Sequence, residues 1–180
     1  YAEITYLDFP GASFGREGPG GAFLNALGRA DALIIVVRAF EDPSVPHPEG
    51  SMDPARDIGG VQLELAFTDI AVIERRLERL EAQNRSLKAG EREAGEREAA
   101  LLRRLKDGLE AEKPIRDQGL TPEESKSLGS YAFLTAKPQV LVLNIGEDDV
   151  ERAKAIEDQH RATFGSLATD VVAVCGKVEA

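Results

Sequence analysis

Only one cysteine, Cys175, occurs in the 180 residues, which excludes an internal disulfide framework and a cysteine-rich zinc site. Two histidines, His47 and His160, leave little room for a histidine-based metal centre. No apolar run reaches membrane-spanning length and no signal-peptide pattern occurs, so the expected location is cytoplasmic and no membrane partner is expected. Cations are scarce: 22 Lys and Arg face 32 Asp and Glu, a net charge of -10. That balance argues against broad attraction to nucleic acid, so DNA is not an expected partner, while local basic patches remain open. The sequence also contains no G-x-x-x-x-G-K-[ST], the loop whose amides and lysine hold nucleotide phosphates and whose hydroxyl holds magnesium.

What is present suffices for one packed core, since hydrophobic residues make up 42% of the chain. The chain is organised around Lys137 to Asp149, KPQVLVLNIGEDD. Gln139 to Leu143 is a short, branched apolar run, read as a strand in a sheet covered on both faces by helices. At its end the chemistry changes to Asn144, Gly146, Glu147, Asp148 and Asp149, and ligands of open α/β sheets sit beyond the carboxyl ends of strands. Many such strands end in an Asn or Asp that only caps the next helix, so the loop alone supports either reading.

Upstream, residues 3 to 8 alternate polar and apolar before Phe9, Pro10 and Gly11, which predicts a strand with Asp8 at its carboxyl end. Asp8 to Gly11 has the D-x-x-G spacing that sets a carboxylate near a magnesium shell and a glycine amide near a terminal phosphate. The glycine-rich stretch Gly11 to Gly21 predicts a mobile loop, a short helix follows over Ala22 to Leu27, and Ala32 to Phe40 reads as a second buried strand. The loop after it carries His47 between Pro46 and Pro48. From Val61 a long amphipathic helix is expected, with Leu63, Ala66, Ile70, Ile73, Leu77, Leu80, Asn84 and Leu87 as a coiled-coil seam. After the glycine-bearing duplication AGEREAGEREAA comes a second stripe at Leu102, Leu105 and Leu109, giving an antiparallel hairpin of Val61 to Lys88 and Glu96 to Glu112. Its arginines are interleaved with glutamates, the pattern of a solvated face with spaced ion pairs. Thr121, Pro122 and Glu124 mark a helix start, and Asp170 to Cys175 reads as a third buried strand followed by Gly176 and Lys177.

Three segments, SYAFLTAKPQVLVLNIGEDD, FEDPSVPHPEGSMDP and VCGKVEA, closely resemble the YchF or Obg-like ATPase family of the P-loop GTPase superfamily. The resemblance runs from Glu3 to Ala180. It implies an α/β fold: a partial P-loop GTPase-like, mostly parallel sheet flanked by helices, formed by residues 1–60 and 113–180, with 61–112 as an inserted coiled-coil hairpin. It implies that Asn144, Ile145 and Glu147 form the family's N-x-x-E base motif, that Cys175 and Gly176 touch the base beside it, and that Asp8 and Gly11 serve Mg2+ and phosphate. His47 then takes the catalytic place of the glutamine that orients water in ordinary GTPases; Ala12, after Gly11, cannot do so through its side chain. The expected substrate is ATP, favoured over GTP, with Mg2+ once a phosphate loop is supplied, and the expected partner is the ribosome or ribosomal RNA. The alternative is a non-catalytic, degenerate or truncated module that presents its helical hairpin to a protein or ribosomal partner. The missing phosphate loop makes the chain read as the middle of a larger protein, a fragment, an incomplete sequence or a degenerate relative.

Overall fold

A computed structural model describes residues 3–9, 21–47, 50–84 and 89–179. Gly11, the rest of the glycine-rich stretch up to residue 20, Pro48 and the seam residue Leu87 lie outside the described residues.

Three parallel strands make the sheet, in the order β1 (Leu33–Ala39), β2 (Gln139–Ile145), β3 (Thr169–Val174). The register sets Arg38 beside Asn144 and Asn144 beside Val174, so the carboxyl ends of all three strands share one rim. Each strand's odd-numbered side chains point to the core. Val37, Leu141, Leu143 and Val171 pack with Ile58, Ile156 and Phe164. The sequence reading expected helices on both faces. Instead the helices that pack on the sheet favour the odd-numbered face, while Ile34 and Val36 on the other are 54% and 66% exposed. The alternating burial of β2 records the difference.

Residues 3–9 form no strand, which corrects the expectation for residues 3 to 8. Alternation favours an extended chain, but a strand also needs a neighbour for its ladder, and here Ile4, Tyr6 and Leu7 are exposed. The segment is attached through Phe9, whose ring meets Phe23 edge-on with centroids 5.0 Å apart. Phe23 belongs to α1 (Gly21–Arg29), and Lys137 closes that helix by donating to the carbonyls of Gly28 and Ala30 at 3.1 and 2.6 Å. The lysine before β2 therefore ties α1 to the sheet.

α2 (Pro54–Asn84) starts nearly two turns before Val61. Asp53 caps it by accepting the Arg56 amide at 3.1 Å, and Pro54 occupies the first position, where a missing N–H costs nothing. Its partner α3 (Ala89–Glu110) includes the glycine-bearing duplication, which the sequence reading had placed largely outside the helix. Ile73 and Leu80 of α2 pack with Ala99, Leu102, Leu105 and Leu109 of α3. Below Ile73 the inward residues are Ile58, Leu65 and Asp69, while the predicted seam residue Leu63 is 43% exposed. The helix changes partner along its length. Its first turns face the sheet, where Leu65 packs with Leu33 and Leu134, and a 3.5-residue repeat fits only the part that faces α3.

Several polar contacts lock this helical pair to the body. Arg76 donates to both oxygens of Glu98 at 2.7 and 2.9 Å and to the Tyr131 hydroxyl at 3.2 Å, and that hydroxyl also donates to Glu98. The guanidinium holds the Glu98 carboxyl below the usual carboxylate range. Tyr131 follows α4 (Pro122–Leu128), which opens on the predicted capping box: Thr121 Oγ1 accepts from Glu124, and Glu124 accepts from the Thr121 amide at 2.9 Å. After β2 the chain forms a 3-10 turn (Glu147–Arg152), α5 (Ala153–Phe164), β3 and the short α6 (Gly176–Glu179).

Asp69 is the buried charge at the centre of α2, 1% exposed. It accepts from the Leu134 amide at 2.9 Å, the Thr135 amide at 2.8 Å and the Thr135 hydroxyl at 2.7 Å. Burial pushes its carboxyl above the ordinary range despite the opposing pull of those hydrogen bonds. Asp69→Ala strands two buried amides and should cost about 2–4 kcal/mol, read as a lower urea midpoint. Because the folded-state pKa is raised, the carboxyl's contribution is full below its unfolded value and is lost as pH rises through the folded one. The cost of Asp69→Ala should therefore grow as pH falls from 7 toward about 4; a cost that shrinks on acidification would contradict this assignment.

Candidate functional site

The rim at the carboxyl ends of the strands collects most of the polar residues singled out in the sequence. Asn144 is the last residue but one of β2, and its Oδ1 accepts the Gly176 amide at 3.1 Å, joining the end of β2 to the loop after β3. A side chain at 176 would interfere, since a Cβ there would lie 3.3 Å from Asn144 Oδ1. Lys177 donates to Glu147 at 2.8 Å, a second link between the same loops. Both side chains are largely solvated, so this ion pair orients Glu147 more than it stabilises the fold. Ile145 and Cys175 are buried in the sheet core, so only their main-chain groups face the rim's chemistry.

Arg38 brings in the third loop. Its Nε donates to the Phe40 carbonyl at 2.9 Å, Nη1 to Val45 at 2.7 Å and Nη2 to Asp42 at 3.2 Å. The guanidinium also lies 4.9 Å from the centroid of the Phe40 ring. Asp42 tightens the same loop by accepting the amide and hydroxyl of Ser44 at 2.9 and 2.6 Å, which hold its carboxyl low. His47 ends this tethered segment, half-buried, with Nε2 2.9 Å from Asp57 Oδ2 at the start of α2.

Asp8 lies exposed on the strandless segment 3–9, and Gly11 lies outside the described residues. His160 is half-buried on α5 with its Nδ1 2.9 Å from the Ile156 carbonyl. Among the described residues no three His, Cys, Asp or Glu side chains gather as a metal set. Asp8 is a single carboxylate, so the remaining ligands of a magnesium ion would come from the nucleotide and a phosphate loop. Arg38 and Asp57 were missed by sequence reasoning. An arginine on a buried strand directly before a long loop was the available signal for Arg38, because a cation in that place needs carbonyls to satisfy it.

A parallel α/β sheet with its polar loops collected on the carboxyl rim is the class to which nucleotide-binding domains belong. No family model matches the chain. Over 171 residues it is 35% identical to the ribosome-binding ATPase YchF of Bacillus subtilis, covering 94% of this chain and 45% of that protein. The YchF of Haemophilus influenzae is 36% identical over 169 residues with the same coverage, and Obg-like ATPase 1 of Caenorhabditis elegans is 37% identical over 149 residues, 80% of this chain and 35% of that one. Among solved structures, the YchF GTPase of Schizosaccharomyces pombe matches with a TM-score of 0.71 at 30% identity, covering 88% of this chain and 44% of that chain. The chain belongs to the YchF and Obg-like ATPase family. It spans under half the length of these relatives.

Arg38→Ala should free the loop without unfolding the sheet. Amides from Asp42 to Val45 are expected to exchange with solvent at least about tenfold faster, the equivalent of about 1.4 kcal/mol, with β2 amides unchanged. Unchanged exchange in the loop would show that Arg38 does not hold it.

Proposed function

We propose that this chain is the nucleotide-binding part of a YchF-like, ribosome-associated NTPase that hydrolyses a terminal phosphate with Mg2+. In this reading Asn144, the main chain at Ile145, Glu147, and the main chain at Cys175 and Gly176 receive the base. Asp8 and Gly11 serve the metal and phosphate, and His47 places the attacking water. The observation that carries the reading is the Asn144 to Gly176 hydrogen bond, which joins two loops far apart in sequence into one rim. Arg38, beside Asn144 in the register, tethers the loop that leads to His47. Residues 61–112 are proposed as an insertion in this core, contacting the ribosome or ribosomal RNA.

The preference for ATP over GTP is what the resemblance to the family implies, and one contact weakens guanine recognition. A carboxylate in this position recognises guanine by accepting from its ring N–H and exocyclic amine, and Glu147 already accepts from the Lys177 ammonium. Adenine presents no ring N–H to compete for it. The second reading, a non-catalytic module that displays its helices, is favoured by the absence of G-x-x-x-x-G-K-[ST] from these residues.

Residues 1–180 alone should bind ATP or GTP weakly or not at all and show no Mg2+-dependent hydrolysis, because base contacts supply only about 1 kcal/mol each. Isothermal titration checks this, and micromolar ATP affinity in the bare chain would place the binding energy elsewhere. Joined to a segment carrying a phosphate loop, the chain should bind ATP. His47→Ala should then slow turnover while sparing affinity, since a water-placing residue acts mainly in the transition state. Failure of the joined protein to bind any nucleotide favours the non-catalytic reading.

A further inference from the structure

Asp57 stands in the first turn of α2, where the helix dipole favours a carboxylate. Its two oxygens are divided between two partners. Oδ1 accepts from Arg56 Nε at 3.0 Å and Nη2 at 2.9 Å, while Oδ2 lies 2.9 Å from His47 Nε2. Arg56 is anchored in turn, donating to the hydroxyl and carbonyl of Ser51 at 3.0 and 2.7 Å. The His47 and Asp57 side chains are 11% and 20% exposed, against 77% and 53% for Lys177 and Glu147 on the same rim. The pair is shielded enough for its geometry to persist in water.

A carboxylate accepts, so the ring nitrogen facing it donates. A neutral ring with its proton on Nε2 keeps its lone pair on Nδ1. We propose that Asp57 is the positioning residue of His47: it selects the Nε2–H tautomer and holds the ring at the head of α2. This rests on His47 as the water-placing residue. Asp57 touches no reacting atom and acts only through the ring. The two tethers divide the work, since Arg38 fixes the loop backbone up to Val45 and Asp57 fixes the side chain two residues further on.

The test reads the tautomer directly in the 180-residue chain by long-range proton–nitrogen correlation of the histidine rings at about pH 8, where an unpaired imidazole is neutral. His47 is expected as the Nε2–H tautomer, and in Asp57→Ala the ring should shift toward a mixture. An Nδ1–H tautomer in the unsubstituted chain, which turns a lone pair toward the carboxylate, overturns the proposal without any variant having to fold. In the protein joined to a phosphate loop, Asp57→Ala should lower kcat by roughly ten- to a hundredfold with KM unchanged. In the His47→Ala background the same substitution should do nothing further; an equal loss there would mean that Asp57 acts independently of the ring. An Asp57-dependent tautomer with no effect of either substitution on kcat would sink the catalytic reading of His47 while leaving the pairing in place.

Discussion

A carboxylate inside the protein, on Asp69, is the joint through which the sheet and the helical pair meet. Three donors from Leu134 and Thr135 end on it, and the Thr135 carbonyl in turn accepts from Arg116 at 3.1 Å, just beyond α3. The segment that feeds β2 is thereby clamped between α2 and the turn after α3. An apolar residue at 69 would fill the space but leave two amides without partners, so packing alone cannot hold this junction. Burial disfavours the charge, and the hydrogen bonds offset that only in part.

The same helix also serves the rim. Along α2, Asp57 meets His47, Ile58 and Leu65 meet the sheet, Asp69 meets the loop before β2, and Ile73 and Leu80 meet α3. One rigid element thus touches the proposed catalytic side chain at one end and α3 at the other.

Elements whose signal is local were legible in the sequence. The three apolar runs became β1, β2 and β3, and Thr121 with Glu124 formed the capping box that their spacing announced. The loop at Asn144 was readable because strand and loop differ sharply in chemistry. Features that depend on a distant partner were not. The alternation at residues 3 to 8 shows an extended tendency but cannot show whether a neighbouring strand exists. Asp69 interrupts an apolar face and reads as solvated until the amides of Leu134 and Thr135 appear beside it. The start of α2 was missed although Asp53 and Pro54 carry a recognisable cap, because the proline-rich run before it suggested a longer loop. Asp57, ten residues from His47, had no spacing rule to mark it.

The central claim is that the rim joined by Asn144 and Gly176 is a base site in a nucleotide-binding domain. The most direct measurement is amide chemical-shift mapping of the isotope-labelled chain joined to a segment carrying a phosphate loop, titrated with ATP and Mg2+. The account predicts saturable shifts at Asn144, Ile145, Glu147 and Gly176, reproduced with ADP and reduced by Asn144→Ala. Saturable ATP binding that leaves those amides unmoved would contradict it.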